Sequence, residues 1–126
     1  MLQNKTAIIT GASRGIGRQI ALTFAENGAN LILNGNDQEK LAEVKKLAQK
    51  KGVKAEIVIG DIASPDTAKE LVKTALEHFH TVDVLVNNAG TMLRAPFLEV
   101  NHQDWQRVME INFTGAFYTC QSVLPV

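Results

Sequence analysis

The chain has 126 residues, 45% hydrophobic and 21% charged, the proportions of an ordinary globular domain long enough to bury a core. Thirteen Lys and Arg balance thirteen Asp and Glu, so no field draws it to nucleic acid or to an acidic membrane surface, while self-association stays open. The lone Cys120 excludes an internal disulfide and a paired-cysteine zinc site, and it fits a reducing, cytoplasmic setting.

From the start, Met1 to Lys5 shows no charged head before an apolar core, so no signal peptide is expected. No apolar run approaches the ~18 residues of a membrane span. Thr6 to Thr10 reads as the first strand. A helix follows from about Gly15 to Asn27, with Ile16, Ile20, Ala21 and Phe24 on one face and Gly28 as its stop. Leu31 to Leu33 is the second strand. Asp37 directly precedes Gln38-Glu39-Lys40 and reads as the N-cap of a second helix, carried by Leu41, Val44, Leu47 and Ala48. Ala55 to Ile59 is the third strand. Ser64 and Pro65 read as N-cap and first residue of a third helix running to about Phe79. Val82 to Val86 is the fourth strand. A loop with Pro96 leads to one long helix from near Asn101, with Trp105, Val108, Met109, Asn112, Phe113 and Ala116 on a single stripe that buries the Asn112 amide.

The strands are nearly all apolar and alternate with helices. Both faces of the sheet are therefore covered, and residues 1–126 form one α/β domain with a doubly wound parallel sheet of Rossmann type. Three histidines, His78, His80 and His102, have no metal-ligand spacing with carboxylates or cysteine, so no metal site is expected. Lys45, Lys46, Lys50 and Lys51 form a solvated helix face without interleaved aromatics.

The chemical signal is Thr10-Gly11-Ala12-Ser13-Arg14-Gly15-Ile16-Gly17, placed where strand hands over to helix. Gly11 permits a tight turn, Gly15 lets a diphosphate approach the backbone, and Gly17 lets the helix lie close to the strand. The helix N-terminus offers free N–H groups to phosphate. The spacing Gly-x-x-x-Gly-x-Gly differs from the general dinucleotide fingerprint, and no Lys-Ser/Thr pair follows to make a P-loop. A tight turn without ligand is the plain alternative.

Four motifs in order resemble the short-chain dehydrogenase/reductase family: the Thr10–Gly17 loop, Asp61-Ile62, Asn87-Asn88-Ala89-Gly90 and Glu110-Ile111-Asn112-Phe113. Within it, the chain is most similar to 3-oxoacyl-acyl-carrier-protein reductases and related sugar and alcohol dehydrogenases. The resemblance implies an N-terminal half, a sheet in the order 3-2-1-4 that stops after the fourth strand and its helix, and an oxidoreductase passing a hydride between NAD(P)(H) and a carbonyl or secondary alcohol. Gly11, Ser13, Arg14, Gly15, Ile16 and Gly17 would hold the cofactor's diphosphate side. Asp61 and Ile62 would meet the adenine, and Asn88, Ala89 and Gly90 would line the rest of the cofactor. Asn112 would serve in catalysis by holding a water in a proton relay. The substrate class is a small carbonyl or alcohol, an acyl thioester among them, and the assembly a homo-oligomer through the helix around Tyr118.

Arg14, before the second glycine, suits a 2′-phosphate. Where the family's NAD-selecting acid would stand there is Gly35, followed by Asn36, and Asp37 is taken as a cap. NADP(H) is therefore expected over NAD(H). The family's Tyr-x-x-x-Lys pair has no counterpart, because the single tyrosine, Tyr118, is followed four residues on by Ser122. A nucleotide-binding or interaction module without catalysis is the other reading of these 126 residues.

Overall fold

A computed structural model describes residues 1–126. Four parallel strands form one sheet: β1 (Thr6–Ile9), β2 (Asn30–Gly35), β3 (Ala55–Ile59) and β4 (Val84–Val86). Their spatial order is β3-β2-β1-β4, the order expected. The connecting helices are α1 (Gly15–Glu26), α2 (Gln38–Lys50) and α3 (Pro65–Phe79). After β4 comes an extended stretch, a 3-10 turn (Phe97–Glu99), α4 (His102–Met109), a π turn (Glu110–Thr114) and α5 (Gly115–Val123).

Alternation along the strands explains the two layers. Ala7, Ile9, Leu31 and Leu33 face one side and are sealed by Ala21 and Ala25 of α1 and by Leu41, Val44 and Ala48 of α2. Ile8, Ile32 and Val58 face the other, under Leu71, Val72 and Ala75 of α3. Successive side chains of a strand point to opposite faces, so an apolar run needs a helix on each. The alanines of α1 bring that helix close to the sheet. The edge strand β3 is less completely covered than the expectation of two sealed faces allows: Ile59 is 46% exposed.

Local chemistry fixes most helix starts. Asp37 caps α2, its Oδ1 accepting the Lys40 N–H at 3.1 Å, and Asn101 caps α4 through the Asp104 N–H at 2.8 Å. Ser64 stands at the N-cap of α3 ahead of Pro65, but its side chain makes no cap bond. Its backbone carbonyl instead accepts the Thr67 N–H at 3.1 Å.

Two expectations are corrected. β4 begins at Val84 rather than Val82, because the Asp83 carboxylate accepts the Thr6 N–H at 2.9 Å while the Asp83 N–H donates to the Thr6 carbonyl, closing the ladder with a side chain. The long helix is not continuous. The π turn inserts an extra residue per turn and rotates everything beyond it, and the apolar stripe is already exposed ahead of it, since α4 buries no residue. Trp105, Phe113 and Phe117 are each more than half exposed, and Asn112 is exposed rather than buried. The residues that α5 buries are Gly115 and Thr119, and Gly115 lies against Ile62. No helix is long and apolar enough to cross a membrane.

The Thr6 N–H holds the Asp83 carboxyl below its ordinary value near 3.8; partial burial opposes this, and Lys5 at 3.2 Å adds to the lowering. A depressed carboxylate pKa stabilises the fold above the unfolded-state value and loses that contribution as pH falls through the folded-state value. Asp83→Asn should lower stability at neutral pH by under about 1 kcal/mol, since the pair faces solvent. Thermal unfolding as a function of pH checks this: the gap between variant and parent should close toward acid.

Candidate functional site

The C-terminal ends of the strands open on a cavity of about 1010 Å³, at the upper limit of the about 300–1,000 Å³ usual for ligand pockets. It lies where the connections from β1 and β4 diverge, the place where open parallel sheets bind ligands.

The loop from β1 to α1 forms its floor. Gly11 and Gly15 have φ of +62° and +58°, left-handed conformations that favour glycine. A Cβ on Gly11 would stand 2.9 Å from the Ala89 Cα. A Cβ on Gly17 would collide with the Gly11 carbonyl and the Asn88 amide, so its close approach is to the loop's own backbone rather than to the strand that spacing pointed to. Gly15 has open space where a Cβ would go and lines the cavity with Gly11, Ser13, Arg14 and Ile16. Gly17 lies behind them.

Helix α1 begins without a cap. Arg14 occupies the N-cap position in extended conformation with no side-chain bond, and the first turn holds no acid. The N–H groups of Gly15, Ile16 and Gly17 have no acceptor within the protein. Three free donors and the positive end of the helix dipole therefore stand at the cavity floor, two of them on Gly15 and Ile16, which line it, an arrangement that takes an anion.

The segment after β4 braces this loop. Thr10 Oγ1 accepts the N–H groups of Asn88 at 3.0 Å and Ala89 at 2.9 Å. Asn88 Nδ2 donates in return to the carbonyls of Thr10 and Gly11, each at 3.1 Å. On the opposite side, the Ala12 N–H donates to the Asn34 carbonyl at 2.8 Å. The buried Asn34 amide donates to the carbonyls of Val58 at 3.0 Å and Gly60 at 3.2 Å, tying the ends of β2 and β3 together.

Of the expected site residues, Asn36, Asp61, Ile62, Asn88, Ala89 and Gly90 also line the cavity. Asn112 does not. Its amide clamps Thr91, which does: Oδ1 accepts the Thr91 N–H and Nδ2 donates to the Thr91 carbonyl, both at 2.7 Å. A Cβ on Gly90 would come into contact with Asn112 Oδ1 at 3.4 Å. Asn34 was missed from sequence. A polar residue closing the apolar run Leu31–Leu33 is a signal that was there to read, whereas Thr91 was expected at the nicotinamide end only as the start of the segment Thr91 to Pro96.

The charged residues lining the cavity on the β2 side are Arg14, Asp37, Glu39 and Lys40. Arg14 is exposed and forms no ion pair. Asp37 lines the cavity, but its carboxylate is engaged by the N–H of Lys40 and, at 3.7 Å, by the Lys40 ammonium. No group of His, Cys, Asp and Glu is arranged to hold a metal ion. The donor set suits a phosphorylated organic ligand that enters at α1 and extends to both sides.

Comparison with known proteins bears on which ligand. Residues 5–126 match the family model described as short chain dehydrogenase. A 3-oxoacyl-[acyl-carrier-protein] reductase of Staphylococcus epidermidis is 40% identical over 123 residues, 97% of this chain and 50% of that protein. A glucose 1-dehydrogenase of Gluconobacter oxydans is 40% identical over 121 residues, 95% and 46% of the two chains. The solved L-sorbose reductase of Gluconobacter frateurii, complexed with NADPH and L-sorbose, superposes with a TM-score of 0.93 at 34% identity, over 98% of this chain and 47% of that one. The chain thus spans about half the length of the relatives it matches.

The glycine geometry yields a stability prediction. Gly17→Ala drives a methyl into backbone at Gly11 and should cost about 1–3 kcal/mol, the range of overpacking a tight site. Chemical denaturation of the full-length protein checks it, and an unchanged midpoint would contradict the close approach.

Proposed function

The chain belongs to the short chain dehydrogenase family, and from that premise we propose that it supplies the NADP(H)-binding half of an oxidoreductase acting on a carbonyl or secondary alcohol. Relatives with reductase and dehydrogenase names and a structural neighbour complexed with NADPH support a nicotinamide cofactor. The observation that carries the reading is the uncapped N-terminus of α1, whose Gly15, Ile16 and Gly17 N–H groups have no acceptor in the protein and whose Gly15 and Ile16 line the cavity.

In this reading the diphosphate sits on those donors, with Gly11 and Ser13 beside it. The adenosine half extends toward the ends of β2 and β3, where such folds place it, so that Ile62 meets the adenine face and Asp61 accepts from its amino group. Asn88, Ala89 and Gly90 line the other half. When bound, the nicotinamide supplies the hydride. The chain's contribution is to hold and orient, through backbone fixed by Thr10 and Asn88. Asn112 holds Thr91 at the rim, and its amide keeps one further hydrogen and one further lone pair with which to hold a water for proton transfer.

NADP(H) over NAD(H) rests on Arg14 and Asn36. Arg14 has no carboxylate partner and stands at the cavity with Asn36, while Asp37 in the same lining is occupied in capping α2. An acyl thioester such as a 3-oxoacyl carrier is the substrate class favoured by the S. epidermidis relative. The exposed Trp105, Phe113 and Phe117 support assembly into a homo-oligomer through the segment leading to Tyr118; a monomer by sedimentation at high concentration would contradict that. The lone Tyr118, half-buried with Ser122 four residues on, is what favours the second reading, a module that binds nucleotide without turning it over.

Titration of the full-length protein with NADPH and NADH, followed by assay with an acetoacetyl thioester and small ketones, tests the proposal. NADPH should bind more tightly, and Arg14→Gln should weaken NADPH by about tenfold while leaving NADH little changed, as expected for one charge-assisted contact. Equal or tighter NADH binding overturns the NADP assignment. Binding without oxidation of NADPH by any carbonyl favours the module.

A further inference from the structure

We infer that Arg107 is a positioning residue for the adenine end of this site, acting through Asp61. The inference rests on the dinucleotide reading above and goes beyond it by adding a residue that neither glycine spacing nor cavity lining picks out.

Asp61 follows β3 and Gly60 on a loop, and its side chain is 42% exposed. A carboxylate in that setting would ordinarily rotate freely. Here both oxygens are fixed. Oδ1 accepts the Ala63 N–H at 3.0 Å, and Oδ2 accepts from the Arg107 guanidinium at 2.8 Å. The first bond is local. The second comes from α4, 46 residues away in sequence, and Arg107 itself does not line the cavity.

An ion pair this exposed contributes little to folding stability, so stability is a poor reason for it. Its effect is directional. The guanidinium holds Oδ2 by one charge-assisted bond while the Ala63 N–H holds Oδ1, and the two bonds together fix the plane of the carboxylate. Each carboxylate oxygen has two lone pairs, and with one of each taken by Ala63 and Arg107, those left over remain for N–H donors arriving from the cavity. An acceptor already held in place loses less freedom when its donor arrives. The same helical segment continues through the π turn to Asn112, which clamps Thr91 at the other end of the rim. One segment thus touches both ends of the cavity.

The test compares NADPH with its hypoxanthine counterpart, in which a carbonyl oxygen replaces the adenine amino group. Dissociation constants are measured by titration calorimetry on the full-length protein and on Arg107→Met and Arg107→Lys. The parent should prefer the adenine form by about tenfold, the worth of one hydrogen bond to a charged acceptor. In Arg107→Met the preference should fall below about threefold, and Arg107→Lys, which keeps a donor, should recover part of it. A methionine variant that keeps the full preference, or that loses both dinucleotides equally, overturns the inference and leaves the cofactor site standing. A parent that binds but does not distinguish the two bases also overturns it. A folded parent that binds neither dinucleotide overturns the cofactor reading itself.

Discussion

The site depends on one helix terminus left open. Helix starts normally satisfy their free N–H groups with a side chain, as Asp37 and Asn101 do for α2 and α4. At α1 the N-cap is Arg14, which has no acceptor to offer. Such a terminus has to be held by its surroundings. Thr10 and Asn88 do this with four hydrogen bonds between the glycine loop and the segment after β4. Neither side chain caps the helix; both fix the backbone that leads into it. The glycines follow from the same constraint, because side chains on Gly11 or Gly17 would occupy the space that lets loop, helix and β4 segment meet.

The parts of the molecule governed by local or periodic rules were legible in the sequence. Apolar runs located the strands, and the sheet order followed from the family resemblance and was found. Asp37 was identified as a cap because the bond spans three residues. The misses share a different cause. The start of β4 depends on Asp83 reaching Thr6, 77 residues away. The π turn has no local signature in Glu110–Thr114, and helical periodicity assumes that no such interruption occurs. Asn112 was correctly singled out as a polar residue needing partners, but the environment assigned to it was wrong: its amide is satisfied at the surface by the backbone of Thr91, not inside a buried stripe.

Matches across residues 5–126 establish kinship without saying how this chain's charges are disposed. In the folded chain Asp37 is occupied, Arg14 is not, and Asp61 is tied to Arg107. Each of these facts concerns where a charge finds its partner. The cavity's two walls divide accordingly. Its β2–β3 side carries the charged groups, while the β4 side is built from Asn88, Ala89, Gly90 and Thr91, held by neutral hydrogen bonds.

The central claim is that the open end of α1 receives a diphosphate, and the most direct measurement is a crystal structure of the full-length protein grown with NADPH. The account predicts diphosphate oxygens within about 3 Å of the backbone nitrogens of Gly15, Ile16 or Gly17, the distance of an N–H···O hydrogen bond. Diphosphate bound elsewhere, with those nitrogens facing only solvent, would contradict it.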